Sequence, residues 1–501
     1  MADAPDAVLG LDVGTSGVKA VVVAAEGGAV LASATEPLAL STPRPGWAEQ
    51  DPEAWWAASA AAIRAALARV PNARVLTAGL SGQMHSSVFL DRSGAVVRPA
   101  LLWCDGRTTA ECEAITRAAG GEAGLGALVC NPALEGFTLP KVLWLRAHEP
   151  DAYRRTSTVL LAKDYVRYRL TGALATEPSD ASGTLMFDPA RGGWSGALLA
   201  AVGVSPALLP AVGGSAEVLG RVTAEGAAAT GLPLGTPVVG GGADNACGAA
   251  GVGVAAPGEA VASWGTSGTV LATTPAPLVD PALRAHTFCH VAPGVWYVMG
   301  VVLAAGGAFA WYREQLAREL SGAPDADARL DAEAASAPPG ADGVTFLPYL
   351  QGERTPHRDA SLRGAFLGLS LAHTRAHLTR AVLEGVCFAL RDSVELLRGL
   401  GLAAGPLLLT GGGARSAFLR QLQADVYGAP AHTVDREEGP AYGAALLAAV
   451  GAGVYPDLAA AAGATLRRAP AAEPDPARHR AYDAPYRRYR AALPAARPPA
   501  A

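Results

Sequence analysis

Two stretches of this chain use the same device. Residues 9–20 read LGLDVGTSGVKA and residues 260–273 read AVASWGTSGTVLAT, so in each an apolar run enters Gly-Thr-Ser-Gly and a second apolar run leaves it. That pattern predicts a β-hairpin whose tip carries the polar groups. Glycines at 14 and 17 let the backbone approach a bulky anion, while Thr15, Ser16 and Lys19 can donate hydrogen bonds to phosphate oxygens. Asp12 ends the first buried strand, as a candidate base or metal ligand. The hairpins lie about 250 residues apart. Such a repeat implies two similar domains facing each other across a cleft, each lending one hairpin to the same polyphosphate.

The bulk properties restrict the partners. A chain of 501 residues is too long for one compact core and predicts two or three domains. With a net charge of −5 and a pI near 6.0, the overall field favours neither nucleic acid nor an anionic membrane, so phosphate binding must come from local loops. The six cysteines, at 104, 112, 130, 247, 289 and 387, form no Cys-x-x-Cys pair; neither a disulfide framework nor a zinc site is indicated, and a reducing compartment is expected. The first residues, MADAPDA, are acidic and lack the apolar stretch of a secretory signal, which predicts a cytoplasmic protein. Residues 295–312 are uncharged, but Gly300 and the Gly306-Gly307 pair interrupt them, so a buried strand followed by a helix is expected rather than a membrane span.

Along the first half, residues 29–33 read as a third strand, and Asp51 followed by Pro52 reads as the start of a helix. That helix is expected to bury Trp56, Ala60, Ile63, Leu67 and Val70 on one face. Residues 75–80 predict a short buried strand ending in Ser81-Gly82-Gln83-Met84-His85, at the carboxyl end where open α/β sheets place ligands. Gln83 and Ser86 beside His85 suit a loop that binds a polyhydroxyl compound. Residues 103–107 (WCDGR) are another strand-to-loop exit, and residues 136–145 open a helix.

Residues 238–248 (VVGGGADNACG) put Asp244 and Asn245 behind a glycine run, where a substrate can reach the carboxylate and Asp244 can serve as a general base. Residues 407–416 (LLLTGGGARS) predict a buried strand running into a triple-glycine loop before a helix at 417–427, a setting that suits a ribose or an α-phosphate. Neither Gly-x-Gly-x-x-Gly nor a P-loop Gly-Lys-Ser/Thr occurs, which disfavours a Rossmann dehydrogenase and a Walker NTPase. From residue 469 the chain is rich in Ala, Pro and Arg. One terminal helix between 477 and 493, broken or started near Pro485, then a loose tail, is expected there.

Taken together these residues resemble the FGGY carbohydrate kinases. The family's second signature is similar to GAFLGL at 364–369 followed by HLTRAVLE at 377–384, and its first to residues 136–148, where Ala147 replaces an expected polar residue. Residues 82–85, 103–107, 136–138, 163–165, 179–184 and 352–357 resemble the blocks of the family members that phosphorylate xylulose, with Cys104 standing where Asn is common. The resemblance runs from residue 8 to about 490 and implies an α/β fold of two duplicated actin/hexokinase-like (ribonuclease H-like) domains around a central ATP/sugar cleft. It divides the chain into an N-terminal domain over 1–245, a C-terminal domain over 246–470 and a terminal segment over 471–501.

Position by position, the resemblance implies that Asp244 is the base and that Met84 and His85 contact the ketose. Asn245 would hold sugar hydroxyls, with Gln83, Trp103 and Asp105 in the sugar-side loops. Asp12 would orient Mg²⁺ through water. Thr15, Ser16, Lys19, Gly265 and Thr266 would cradle the phosphates of ATP, and Gly412, Gly413 and Ala414 would flank the adenosine. The implied reaction is ATP-dependent phosphorylation of D-xylulose to D-xylulose 5-phosphate by in-line transfer. The implied partners are the sugar and ATP, without nucleic acid or membrane and with a homodimer as the candidate assembly. A gluconate, ribulose or glycerol kinase of the same family, or a non-catalytic actin-like ATPase or sugar-binding protein, are the competing readings.

Overall fold

The computed structural model describes residues 5–402, 405–436 and 438–497. Both hairpins form, each inside a seven-stranded sheet. In the first sheet β1 (Asp6–Val13) pairs antiparallel with β2 (Gly17–Ala24), and β2 with β3 (Val30–Pro37). On its other side β1 runs parallel to β4 (Arg74–Gly82). There β5 (Val218–Arg221) and β6 (Pro237–Val239) complete the edge, while β7 (Gly242–Ala243) pairs with the end of β4.

The second sheet repeats the plan with β8 (Ala260–Trp264), β9 (Gly268–Thr274), β10 (His286–Cys289) and β11 (Trp296–Val302), continued by β12 (Leu407–Gly411), β13 (Ala431–Val434) and β14 (Arg468–Ala472). β8 and β9 are antiparallel, as are β9 and β11, whereas β8, β12 and β13 are parallel. The spatial order β3-β2-β1-β4-β6 therefore recurs as β11-β9-β8-β12-β13. β1 is buried almost throughout, as expected for a strand covered on both faces.

Helix α1 (Pro52–Ala68) starts where expected, with the Asp51 side chain accepting from the Glu53 N–H. Ala60 and Ile63 are buried as expected, but the rest of the buried face includes Trp55, Ser59, Ala62 and Ala66, while Trp56, Leu67 and, beyond the helix, Val70 are half-buried. An alanine-rich helix gives a weak stripe. The bond from Trp55 Nε1 to Gln50 Oε1, 2.9 Å, selects which tryptophan goes in.

Helices α2 (Thr138–His148), α3 (Asp244–Ala250), α4 (Gly306–Leu316), α5 (Arg375–Gly399), α6 (Ala417–Tyr427) and α7 (Pro440–Gly451) follow. The uncharged stretch at 295–312 resolves into β11 and α4, and among the described residues no helix is long and apolar enough to cross a membrane. α7 is coded after most of the second sheet but packs on the first. A Cβ on Gly10 would lie 1.9 Å from the Ala441 carbonyl oxygen, and one on Gly79 2.1 Å from that of Ala444. Only glycine in β1 and β4 admits this helix. The division expected between residues 245 and 246 falls inside α3, and a helix from the far end of the chain closes the first sheet.

The terminal segment is built into the second lobe. β14 is its edge strand, and α8 (Pro476–Ala481) and α9 (Asp483–Ala491) insert Tyr482, Tyr486 and Tyr489 into its core. Two helices separated at Tyr482 replace the single one expected. Tyr486 Oη donates to Asp392 Oδ1 at 2.6 Å, and Ala496 is still buried where a loose tail was expected; residues 498–501 lie outside the described residues.

Candidate active site

The carboxyl ends of β1 and β7 flank the same residue of β4: Ser81 pairs with Asp12 on one side and with Gly242 on the other. Asp12 and Asp244 thus emerge on either side of one strand end. Burial raises the Asp12 carboxyl to about 6, and its Oδ1 is shut from solvent with no hydrogen-bond partner among the described residues. Burial, then the Asp12 charge, raises Asp244 to about 7. Asn245 donates to Asp244 Oδ1 twice, from its N–H at 2.7 Å and from Nδ2 at 3.0 Å, and Nδ2 also reaches Met84 Sδ at 3.7 Å. Asp244, Asn245 and Met84 are one cluster.

His85 adopts a left-handed backbone with φ of 67°, costly for a non-glycine residue unless neighbours hold it. Its carbonyl accepts from Thr138 Oγ1 at 3.1 Å and from the buried Lys141 Nζ at 3.0 Å. Burial holds the His85 imidazole down at about 3, so it is neutral, and its Nδ1 bonds to the Gly183 carbonyl. Nδ1 therefore carries the proton, leaving Nε2 as an acceptor.

The polar atoms of the other residues expected on the sugar side are tied to neighbouring loops. Thr15 Oγ1 donates to Gln83 Oε1 at 3.1 Å and accepts from Trp103 Nε1 at 2.9 Å, so both residues brace the first turn. Asp105 is buried, its Oδ1 accepting from Arg107 Nε at 2.9 Å and its Oδ2 from the Ala48 N–H at 2.7 Å. Gln83 and Asp105 thus tie the loops that carry them to the first turn and to Ala48. Sequence spacing could not reveal this, since Ala48 and Thr15 are remote in the chain.

The second turn is exposed and docks on the start of α4, where Gly306 N–H donates to the Gly265 carbonyl at 2.8 Å and Gly307 N–H to that of Thr266 at 2.9 Å. Gly412, Gly413 and Ala414 follow β12, whose Gly411 pairs with Trp264 beside the second turn. Ser16 is exposed on the first turn. Lys19 is held by Glu438 from the far end of the chain, with Nζ to Oε2 at 2.5 Å.

The N-terminal-domain profile of the FGGY family of carbohydrate kinases matches residues 7–251, and its C-terminal-domain profile matches residues 260–452. The chain belongs to the FGGY family of carbohydrate kinases. This FGGY kinase is 41% identical over 445 residues to a xylulose kinase of Escherichia coli strain K12, covering 89% of this chain and 90% of the relative. A xylulose kinase of Bacillus subtilis strain 168 is 39% identical over 470 residues, 93% and 92% of the two chains. The crystal structure of a xylulose kinase from Rhodospirillum rubrum superposes with a TM-score of 0.88 at 34% identity, covering 98% of each chain.

The kinase also contains a buried support that sequence reasoning passed over. The amide just before Asp244, that of Ala243, donates to Ser179 Oγ at 2.9 Å; Ser179 Oγ donates to Glu177 Oε1 at 2.8 Å. Beneath it Lys163 Nζ lies 2.8 Å from Asp164, 3.1 Å from Asp180 and 3.5 Å from Glu177, all fully buried. The blocks at 163–165 and 179–184 held the signal, as charged residues in otherwise apolar surroundings.

Proposed function

We propose that this FGGY kinase transfers the γ-phosphoryl group of ATP to the terminal hydroxyl of D-xylulose, giving D-xylulose 5-phosphate. The observation that carries the reading is the 41% identity to a xylulose kinase across nine-tenths of that relative, together with an intact carboxylate at Asp244. A coupled ADP-release assay across D-xylulose, ribulose, gluconate, glycerol and xylitol tests it. Turnover highest with D-xylulose supports the reading, and a preference for another acceptor overturns it.

In a loose, in-line phosphoryl transfer the protein mainly positions the reactants and stabilises charge. Asn245 occupies Asp244 Oδ1, so Oδ2 is the oxygen assigned to the sugar hydroxyl, orienting it and taking its proton late. A carboxyl raised to about 7 is matched to that task near neutral pH. Neutral His85 Nε2 accepts a hydroxyl proton from the ketose, while Met84, Trp103 and the Asn245 amide complete the sugar contacts. Gln83 and Asp105 act through the loops they brace.

The Thr15 hydroxyl is engaged by Gln83 and Trp103, so the first turn offers phosphate its backbone N–H groups and the exposed Ser16. Gly265 and Thr266 offer theirs from the other side, and Gly412, Gly413 and Ala414 flank the adenosine. Lys19 exchanges Glu438 for a phosphate oxygen. The partnerless Asp12 oxygen beside a second carboxylate fits Mg²⁺, which commonly takes one or two carboxylates and completes its shell with phosphate and water. Asp12 would hold it, and the ion supplies neutralisation of phosphate charge. The free cysteines suit a cytoplasmic enzyme, and sedimentation equilibrium tests the homodimer.

A further inference from the structure

The second half also reaches the sugar loops. An aromatic seam joins the halves there: His85 and Phe137 have ring centroids 4.6 Å apart, Phe137 and His286 5.7 Å, and His85 and Phe288 6.2 Å. Beside that seam runs the segment 353–355, pinned to the end of β11. Glu353, buried, accepts from the Leu303 N–H at 2.9 Å and from the Arg354 N–H at 2.8 Å, and Thr355 N–H donates to the Val301 carbonyl at 2.9 Å. The backbone of Arg354 is therefore fixed from both sides.

Its guanidinium is not. Arg358, four residues on, is paired with Glu122 at 2.6 Å, but the Arg354 side chain has neither a hydrogen bond nor an ion pair among the described residues. A half-buried guanidinium with five donors and no acceptor is costly unless something else supplies oxygen atoms. Its position is against the first-half sugar loops. The Cβ position of Gly136 lies 3.3 Å from Arg354 Nη2 and 2.7 Å from the Trp103 carbonyl oxygen, so only glycine lets the 103 loop, the start of α2 and this arginine meet. Its charge is felt by His85, Lys141 and His286, and Glu135 and Glu353 are the nearby carboxylates.

We propose that Arg354, carried by the second half, is a ketose-binding residue whose guanidinium donates to oxygen atoms of the sugar and helps set which sugar is accepted. The proposal rests on the sugar-kinase reading of the same site. It completes a site otherwise lined from the first half by Met84, His85, Trp103 and Asn245. Sugar binding then requires both halves, because one recognition group sits on each side of the cleft.

The test uses the full chain, with initial rates of ADP release and calorimetric titration of D-xylulose alone, for the wild type, Arg354→Met and Arg354→Lys. Arg354→Met is expected to raise both the KM and the Kd for D-xylulose about tenfold or more, as for loss of a charged hydrogen-bond donor, with the KM for ATP within about twofold. Arg354→Lys, which keeps the charge but not the fork, is expected to fall between the two. Unchanged KM and Kd in Arg354→Met, or equal losses of sugar and ATP affinity with a lower melting temperature, overturn the proposal. Should Arg354→Met fail to fold, Arg354→Gln carries the same measurement. A wild type that turns over another sugar but not D-xylulose defeats the proposed function alone, and the same titration with that sugar then decides Arg354.

Discussion

The two Gly-Thr-Ser-Gly hairpins share a turn sequence and a place in their sheets, but little else. Two residues before the turn the first has Asp12 and the second Ser263; two residues after its closing glycine the first has Lys19 and the second Val270. Side chains brace the first turn, through Gln83 and Trp103 on Thr15 Oγ1 and Gln50 Nε2 on the Thr15 carbonyl at 2.8 Å. Main chain braces the second, through the N–H groups of Ala305, Gly306 and Gly307 on the carbonyls of Gly265 and Thr266. The difference divides the labour. Gln83 immediately precedes Met84 and His85, so the first turn is tied to the loop that carries them. The second is coupled, among the described residues, to a helix start and to the glycine loop after β12. The two hairpins repeat one fold, and at these matching positions the charged side chains belong to the first.

The comparison breaks most visibly at the base. Asp244→Ala is expected to lower kcat about a thousandfold, with the KM for D-xylulose within a few-fold, in the ADP-release assay. Near-normal turnover would remove Asp244 from the reaction. Next, Asp12→Asn should cost about a hundredfold in kcat, whereas Ser263→Ala at the matching position should stay within about threefold. Equal effects would mean that the hairpins are chemically equivalent.

The bracing is tested by two substitutions. A side chain at Gly306 would begin 2.5 Å from the Gly265 carbonyl oxygen, so Gly306→Val should raise the KM for ATP about tenfold and leave that for D-xylulose unchanged. Gln83→Ala should raise both about fivefold, because it loosens the turn and the sugar loop together. A selective effect of Gln83→Ala on ATP would uncouple them.

The smallest effect concerns pH. The Asp244 carboxyl lies at about 7 in the folded chain against an ordinary 3.8, so the folded state binds its proton more tightly. The stability this group contributes is present below pH 4 and is lost as pH rises through about 7. Asp244→Asn, inactive, should therefore melt above the wild type at pH 8, by up to about 4 kcal/mol, with the gap closing towards pH 4. An equal gap at both values would show that charge is not its cause. In the wild type the same ionisation predicts that kcat/KM falls as pH drops through about 7.

The local elements were legible. Alternation and glycine punctuation located both hairpins, Asp51-Pro52 marked the start of α1, and residues 417–427 form the helix expected there. Asp244 follows its glycine run at the junction of β7 and α3. What was misread required distance: the face of α1 turned on Gln50, and the terminal tyrosines found a core assembled elsewhere in the chain.

Sequence alone determined the elements, the duplicated plan and the residue types at each strand end, because periodicity and turn chemistry act over a few neighbouring residues. Tertiary structure decided which polar atoms remain free for chemistry. Asp105 and Gln83 are paired by residues far along the chain, Lys19 by Glu438, Asp12 is raised by burial, and Asp244 by burial and then by the Asp12 charge. The Arg354 side chain is left without a hydrogen-bond or ion-pair partner among the described residues. The physical reason is that desolvation and hydrogen-bond pairing depend on what packs around a group, and around this cleft the packing comes from both ends of the chain, as α7 on the first sheet shows.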